Sequence, residues 1–117
     1  MNEKTYNGWT NYETWCTSLW LDNEEHTYRY CREVAHDNCE LQFIDNTEDE
    51  KLQAVIDTEG TIKDFVESEL IPDLGASLAA DLLGDAVSEV NWREIAEHYV
   101  DDLWQEVAEE KLANLEE

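Results

Sequence analysis

The stretch YNGWTNYETWCTSLWLDNEE, residues 6–25, is the segment on which the predicted fold depends, and it holds three of the five tryptophans of the chain. Thr10, followed three residues later by Glu13, matches a capping box. In this motif a hydroxyl and a carboxylate each satisfy a backbone donor at the start of a helix. The sequence therefore predicts that a helix begins here.

After this start, the apolar residues recur at the i, i+3, i+4 and i+7 spacing of one helical face: Tyr12, Trp15, Cys16 and Leu19. Trp20 and Leu21 widen that face until little of the helix is polar. A short helix that is apolar on most sides is typical of the middle of a fold. We therefore expect this helix to be the centre of the core.

A second helix is predicted to begin directly after the first. Asp22 with Glu25 repeats the capping-box pattern, and the apolar positions that follow favour a helix to about Ala35. Residues 36–46 show no clean helical period, so they are predicted to be a loop.

The middle of the chain predicts a third helix. Thr47 with Glu50 is another capping box. Gly60 indicates either a break or an interior glycine that costs about 1 kcal/mol. Pro72 is expected to end the helix because it lacks a backbone N–H, and Gly75 permits the turn that follows.

Two amphipathic segments complete the chain. Residues 76–90 carry an apolar stripe that is predicted to bury Leu82 and Val87. Asn91 with Glu94 is a cap-like start for a last helix of about 20 residues or more. The core positions predicted on this last helix are Ile95, Tyr99 and Leu103.

These signals define the fold class. Strand signals are slight, and neither a long linker nor an internal repeat is visible. A chain of 117 residues has the length of one domain and can bury a single core without disulfides or metals. The sequence predicts an all-α protein over residues 1–117, a compact single-domain bundle of about five or six short helices with little or no strand.

Charge is the outstanding feature of the composition. Thirty aspartates and glutamates stand against seven lysines and arginines, which gives a formal net charge of −23 at pH 7. Such a charge destabilises a compact chain through self-repulsion and repels nucleic acid and anionic membranes. We therefore expect a basic protein surface as the partner, with no nucleic acid and no membrane. A halophilic or merely very soluble protein is the simpler explanation, and a homodimer is also compatible with the sequence.

The chain shows no targeting or membrane signal. No apolar run approaches the ~18 residues of a membrane span, and the start MNEKTYNG lacks the apolar core of a signal peptide. The sequence thus predicts a cytoplasmic protein. Three cysteines without a CxxC pair are predicted to be reduced and to pack as small core residues.

Two segments resemble a known family: GWTNYETWCTSLWLDNEE (residues 8–25) and SEVNWREIAEHYVDDL (residues 88–103). They are similar to small acidic proteins, largely of unknown function, that are found in phages, plasmids and other mobile elements. In that family an asparagine commonly follows the tryptophan at position 15, where this chain has Cys16. The resemblance implies a phage or mobile-element setting in a host cell, and it supplies no catalytic residue.

The sequence carries no signature of catalysis. It has no glycine-rich phosphate loop, no GxSxG and no HExxH, so we expect neither an enzyme nor a bound cofactor. Residues 45–50 (DNTEDE) have the acidity of a calcium loop but place Glu50 where such a loop needs glycine. Four residues of zinc-binding type have spacings that match no ordinary structural site: His26, Cys31, His36 and Cys39. No metal is predicted.

Rows of carboxylates form the predicted partner-binding surface. Asp81, Asp85 and Glu89 are spaced by four, and four residues rise about 6 Å along a helix. This is close to the distance between successive phosphates of one DNA strand, roughly 3.4 Å of axial rise plus the displacement around the duplex. The last helix is predicted to continue the surface with Glu94, Glu97, Asp101, Asp102, Glu106, Glu109 and Glu110.

The tryptophans admit two interpretations. Trp9, Trp15 and Trp20 could stack on bases, but their helical spacing beside leucines is more typical of a core. Trp104 lies off the main stripe of the last helix and beside acidic residues, so it is predicted to be an exposed anchor at the partner interface.

The leading hypothesis is a DNA mimic, a non-enzymatic inhibitor that occupies the DNA-binding groove of a host defence protein such as a restriction or CRISPR effector. It would act by electrostatic competition with DNA. Two other classes stay open. One is an acidic adaptor or regulator that binds a basic partner without imitating DNA, and the other is a small enzyme or metal-binding protein.

Overall fold

The computed structural model describes residues 6–115, and these residues form an all-α fold without a β-sheet, as predicted. A π-helical turn, Val66–Leu70, continues the third of five α-helices. The α-helices are α1 (Tyr12–Asn23), α2 (Glu25–Gln42), α3 (Glu48–Phe65), α4 (Leu78–Ser88) and α5 (Trp92–Leu115). The predicted fold class is confirmed.

The helix at the centre of the fold is α5. It packs against both α2 and α3, and these two helices also pack against each other. Small side chains on α2 let the helices approach closely, because Cys31, Ala35 and Cys39 leave room for the larger residues opposite. The side chains of α5 that are buried in this way include the predicted core residues Ile95, Tyr99 and Leu103, together with Ala96, Val100, Val107 and Ala108.

The expectation that α1 is the centre of the core is wrong. The residues that α1 buries are Thr14, Ser18 and Leu21. A helix that is apolar on most sides does not reveal which face packs, and here the face with small hydroxyl side chains comes closest to its neighbours. The four predicted core residues lie elsewhere: Tyr12 and Leu19 are exposed, and Trp15 and Cys16 are half-buried.

A polar network ties the start of α1 to the connection between α4 and α5. Asn11, and not Thr10, caps α1: its Oδ1 accepts from the backbone N–H of Thr14 at 2.9 Å and from the Thr14 hydroxyl at 2.6 Å. The Asn11 amide also donates to the carbonyl of Glu89 at 2.7 Å. The Thr14 hydroxyl accepts from the backbone N–H of Asn91 at 2.8 Å. The motif at residues 10–14 therefore joins the start of α1 to the α4–α5 connection, which is distant in the sequence.

The predicted loop over residues 36–46 is largely wrong, because α2 continues to Gln42. Its buried residues include Cys31, Ala35 and Cys39, which recur every fourth position. Such small side chains give a weak periodic signal, although they form the closest packing surface of the helix. The capping box predicted for Asp22 is also absent, since α2 begins without a side-chain cap.

The predicted start and end of α3 are confirmed. The Thr47 hydroxyl accepts from the N–H of Glu50 at 3.2 Å, and the Glu50 carboxylate accepts from the N–H of Thr47 at 3.2 Å. Gly60 lies inside the unbroken helix. The π-helical turn ends before Pro72, and Gly75 adopts φ 64°, a left-handed conformation that favours glycine.

Helix α4 is peripheral. Ser77 caps its start, and none of its residues is buried. Leu82 is 61% exposed, so the prediction of Leu82 as a core residue is wrong. Val87, also a predicted core residue, is half-buried and packs against the edge of the core. The α4 stripe is broad enough to leave one apolar edge in solvent, because the helix lies on the surface of the bundle.

The central position of α5 predicts a large effect of one core substitution. Leu103→Ala removes a side chain that is 2% exposed, so it should lower the free energy of unfolding by about 2–5 kcal/mol. Leu112→Ala on the same helix removes an exposed leucine and should change it by less than about 0.5 kcal/mol. Urea denaturation measures both. A larger loss in Trp15→Ala than in Leu103→Ala would instead place the centre of the core at α1.

Candidate partner-binding surface

The outward face of α5 forms an acidic ridge. Burial of its apolar residues against α2 and α3 leaves the carboxylates on the solvent side of the same helix. Of the seven α5 carboxylates predicted to bind a partner, six are exposed. They define the α5 acidic ridge: Glu97, Asp101, Asp102, Glu106, Glu109 and Glu110.

Half of the ridge has partners within the protein. Asp101 accepts a salt bridge from Lys51 of α3 at 2.9 Å, and Glu110 lies 3.2 Å from the Nε2 of His36 on α2. Glu109 accepts from Gln105 at 3.3 Å. The other three ridge carboxylates have no lysine or arginine partner within residues 6–115: Glu97, Asp102 and Glu106.

The few lysines and arginines among the described residues already make contacts within the protein. Four of them pair with carboxylates: Arg29 with Glu25, Lys51 with Asp101, Lys63 with Glu67 and Arg93 with Glu59. Arg32 lies over the ring of Tyr28, and the ammonium of Lys111 donates to the backbone carbonyls of Glu40 and Phe43. These lysines and arginines therefore balance only a small part of the acidic charge of the chain.

Glu94 does not belong to the ridge, which corrects its prediction as a partner-binding residue. Its side chain is 5% exposed, and its Oε1 accepts from the backbone N–H of Thr10 at 3.1 Å. Its own N–H donates to the Oδ1 of Asn91 at 3.1 Å, so the predicted cap of α5 is confirmed. Glu94 lies on the packed side at the start of α5 and fastens the segment that precedes α1.

Trp104 is not an exposed anchor. The indole is 6% exposed, its N–H donates to the Oδ1 of Asn46 at 2.8 Å, and its ring lies 5.2 Å from that of Phe43. The prediction failed because α5 is covered by two helices and not by one. Its buried surface is therefore wider than a single stripe and includes positions that the periodicity assigns to solvent.

The α4 row is exposed, as predicted, but it is separate. Asp81 and Asp85 are exposed on α4, and Glu89 is exposed directly after its end. No hydrogen bond or ion pair joins them to the α5 acidic ridge among the described residues. Because no residue of α4 is buried, this row is held less firmly than the ridge.

A partly buried polar network connects three helices near the end of α1. Asp22 accepts a short hydrogen bond from the hydroxyl of Tyr99 and lies 3.5 Å from the Nε2 of His98. Burial raises the pKa of Tyr99, and it raises the pKa of the neighbouring Cys31 thiol to about 12. Both shifts favour the protonated forms of these groups at neutral pH.

The Asp22–His98 pair shifts two pKa values in opposite directions. Burial alone would raise the pKa of Asp22, but hydrogen bonds from His98 and Tyr99 outweigh it and hold that pKa below its usual value. The hydrogen bond to Asp22 raises the pKa of His98 against the effect of burial. Sequence reasoning missed this pair, since no motif connects residues so far apart in the chain.

The four zinc-type residues cannot share one ion. Cys31 and Cys39 are separated by two turns of α2, about 12 Å along the axis. Burial raises the pKa of both thiols to about 12, which disfavours the thiolate that zinc binds. His36 instead approaches Glu40 and Glu110, with one ligand atom of each within 4.8 Å of the others. These two carboxylates and one imidazole are able to hold a divalent cation.

A comparison with protein-family profiles shows which family the chain belongs to. Residues 2–114 match DUF7249, which is described as a family of unknown function. The chain belongs to this family. Neither curated proteins nor solved structures give a match to it. Within residues 6–115 of this DUF7249 member, no helix is long and apolar enough to cross a membrane.

The Asp22–His98 pair predicts a pH-dependent contribution to the stability of this DUF7249 member. Because the pKa of His98 is raised in the folded protein, His98 contributes fully to stability below about pH 6.5, the pKa of an unperturbed histidine. This contribution is lost as pH rises through the pKa of His98 in the folded protein. Because the pKa of Asp22 is lowered in the folded protein, Asp22 contributes fully to stability above about pH 3.9, the pKa of an unperturbed aspartate. This contribution is lost as pH falls through the pKa of Asp22 in the folded protein. The melting temperatures of the parent and Asp22→Asn should therefore differ most between about pH 4 and 6.5.

The control for this prediction is His26→Asn, which changes an exposed histidine outside the network. Thermal melts of the three proteins from about pH 3.5 to 8.5 measure the differences. A gap between the parent and Asp22→Asn that stays constant across this range would show that the pair contributes no pH-dependent stability.

The net charge predicts a response to salt. Raising NaCl from about 0.01 M to 0.1 M shortens the screening length from ~30 Å to ~10 Å, so the melting temperature should rise. The triple variant Glu97→Gln/Asp102→Asn/Glu106→Gln should melt higher at low salt and respond less to added salt, because it carries less self-repulsion. A melting temperature that falls with salt would mean that attractive ion pairs dominate instead.

Proposed function

We propose that this protein is a DNA mimic of phage or mobile-element origin, which inhibits a host defence protein of the restriction or CRISPR type by occupying its DNA-binding groove. Its place of action is then the host cytoplasm. The observation that carries the proposal is the α5 acidic ridge, a run of exposed carboxylates fixed to the central helix of the bundle.

The spacing of the ridge supports this proposal. Asp102, Glu106 and Glu110 follow one another at intervals of four residues, about 6 Å along the helix. Lysines and arginines that hold the phosphates of one DNA strand meet charges at a similar separation. An array of this kind can form several ion pairs with a DNA-binding surface at once.

The shape of the molecule is also compatible with this role. The described chain measures 59 × 33 × 23 Å along its principal axes. Its length of 59 Å corresponds to about 17 base pairs of duplex at ~3.4 Å for each step. An elongated acidic body can thus lie along a basic groove and cover many of its cations.

The rigidity of the ridge is a third argument. The residues that alternate with the ridge carboxylates are buried against α2 and α3, so the backbone of α5 is fixed before any partner arrives. Preorganised charges bind with a smaller loss of conformational entropy than charges on a flexible tail. Long-range attraction between this surface and a basic groove also accelerates association.

The test of this proposal is displacement from DNA. Lysate of a bacterial host is loaded on immobilised duplex DNA, which is then washed with this protein at constant ionic strength, and the released proteins are identified by mass spectrometry. We expect release of a DNA-binding defence protein. A labelled duplex then measures the competition with that purified target, which should weaken as salt is added.

Two variants with the same change in charge test the ridge itself. Glu97→Gln/Asp102→Asn/Glu106→Gln removes the three ridge carboxylates that have no lysine or arginine partner within residues 6–115, and it leaves the Lys51–Asp101 pair intact. Three lost contacts of about 0.5 kcal/mol each should weaken competition about tenfold.

The matched variant acts on α4. Asp81→Asn/Asp85→Asn/Glu89→Gln has the same charge but alters the loosely held row, so it should weaken competition less. Equal losses in both triple variants would mean that overall charge acts without a defined surface. A released target that keeps its DNA bound beside this protein would contradict DNA mimicry.

A second candidate function is an acidic adaptor that binds a basic partner without imitating DNA. One observation favours it, an apolar groove beside α4 that has no counterpart on a phosphate backbone. A target that binds this protein and DNA together would support the adaptor.

A further inference from the structure

An open groove lies between α1, the π-helical turn and α4. Its volume is about 300 Å³, and its surface is almost entirely apolar. We call it the α1–α4 groove and define it by the residues that carry the argument: Cys16, Trp20, Leu70, Leu83, Val87 and Val90.

The rim of the α1–α4 groove exposes large apolar side chains. Trp20 is 63% exposed, and Tyr12 and Leu70 are 50% and 44% exposed. Single exposed apolar residues are normal on protein surfaces, but a continuous apolar patch is typical of an interaction site. Covering such a patch with a partner would gain about 25 cal/mol for each Å² of apolar surface removed from water.

We infer that the α1–α4 groove binds a basic amphipathic helix of a partner protein. A helix that offers apolar side chains at i, i+3, i+4 and i+7 can lay them into an apolar groove. The leucine, valine and tryptophan side chains that line the groove match those anchors in chemistry.

Charge complementarity selects a basic partner. Glu13 lines the groove, and no lysine or arginine lines it among the described residues. A helix whose apolar stripe is flanked by lysines or arginines would therefore meet Glu13 at the groove and the negative potential of a chain with a net charge of −23.

The same charges disfavour a second copy of this chain as the occupant. Two copies would each bring a net charge of −23 to the interface. Their repulsion opposes the gain from burying the apolar patch. A basic helix gains both from the attraction between opposite charges and from burial of the apolar patch.

The position of α4 suits this form of binding. The helix has no buried residue, and its half-buried side chains include Leu83 and Val87, which line the groove. Small movements of α4 can therefore adjust the width of the groove without disturbing the core. The inference does not require DNA mimicry, since the groove and the α5 acidic ridge share no residue.

Fluorescence polarisation with a defined probe tests this inference. The probe is a labelled helical peptide of about 14 residues made of leucine and lysine, with leucines at i, i+3, i+4 and i+7. A scrambled peptide of the same composition controls for net charge. We expect the helical probe to bind at least about tenfold more tightly than the scrambled one, because it presents its leucines on one face.

A groove variant and a matched surface variant locate the binding site. Trp20→Ser/Leu70→Ser removes two exposed rim side chains and should weaken the helical probe about tenfold. Leu41→Ser/Ile44→Ser removes two exposed apolar side chains outside the groove and should leave its affinity within about twofold. Circular dichroism melts establish that both variants fold, which is expected because all four residues are exposed.

Three results would overturn the inference. The first is equal affinity for the helical and scrambled peptides, and the second is full affinity in the groove variant. The third is a concentration-dependent dimer in sedimentation that the groove variant abolishes, since the occupant would then be a second copy. The duplex-displacement assay reports on the ridge separately, so failure of one proposal leaves the other testable.

Discussion

The structure depends on the burial of α5 between α2 and α3. Cys31, Ala35 and Cys39 on α2 allow this close packing, and the aliphatic and aromatic residues of α5 fill the space that they leave. Each methylene buried here contributes about 0.8 kcal/mol to the free energy of unfolding, which makes this interface the main source of stability. It also offsets the self-repulsion of a chain with a net charge of −23.

The same interface determines where the charges lie. Once the apolar residues of α5 face the bundle, its remaining positions form a fixed acidic ridge. Lys51 and His36, from the two supporting helices, pair with ridge carboxylates and join the ridge to its base. By contrast, α4 exposes both carboxylates and leucines on a helix without buried residues. The protein thus offers a rigid charged surface and a more adaptable apolar one.

The sequence predicts the helices better than their packing. Capping at Thr47 and the left-handed Gly75 follow from local rules, and both agree with the structure. The burial of Trp104 and Glu94 does not follow from local rules, because it involves hydrogen bonds with Asn46 and Thr10, which are distant in the chain. Periodicity also assumes one buried stripe for each helix. That assumption placed the core at α1, where most sides are apolar, and missed both the wide buried surface of α5 and the groove beside α4.

The most direct test of DNA mimicry is a structure of this protein bound to a target that it displaces from DNA. The account predicts that Glu97, Asp102 and Glu106 lie within about 4 Å of the lysines and arginines that hold phosphates in the DNA complex of that target. A complex in which those cations remain open, while the target binds another face of this protein, would contradict it.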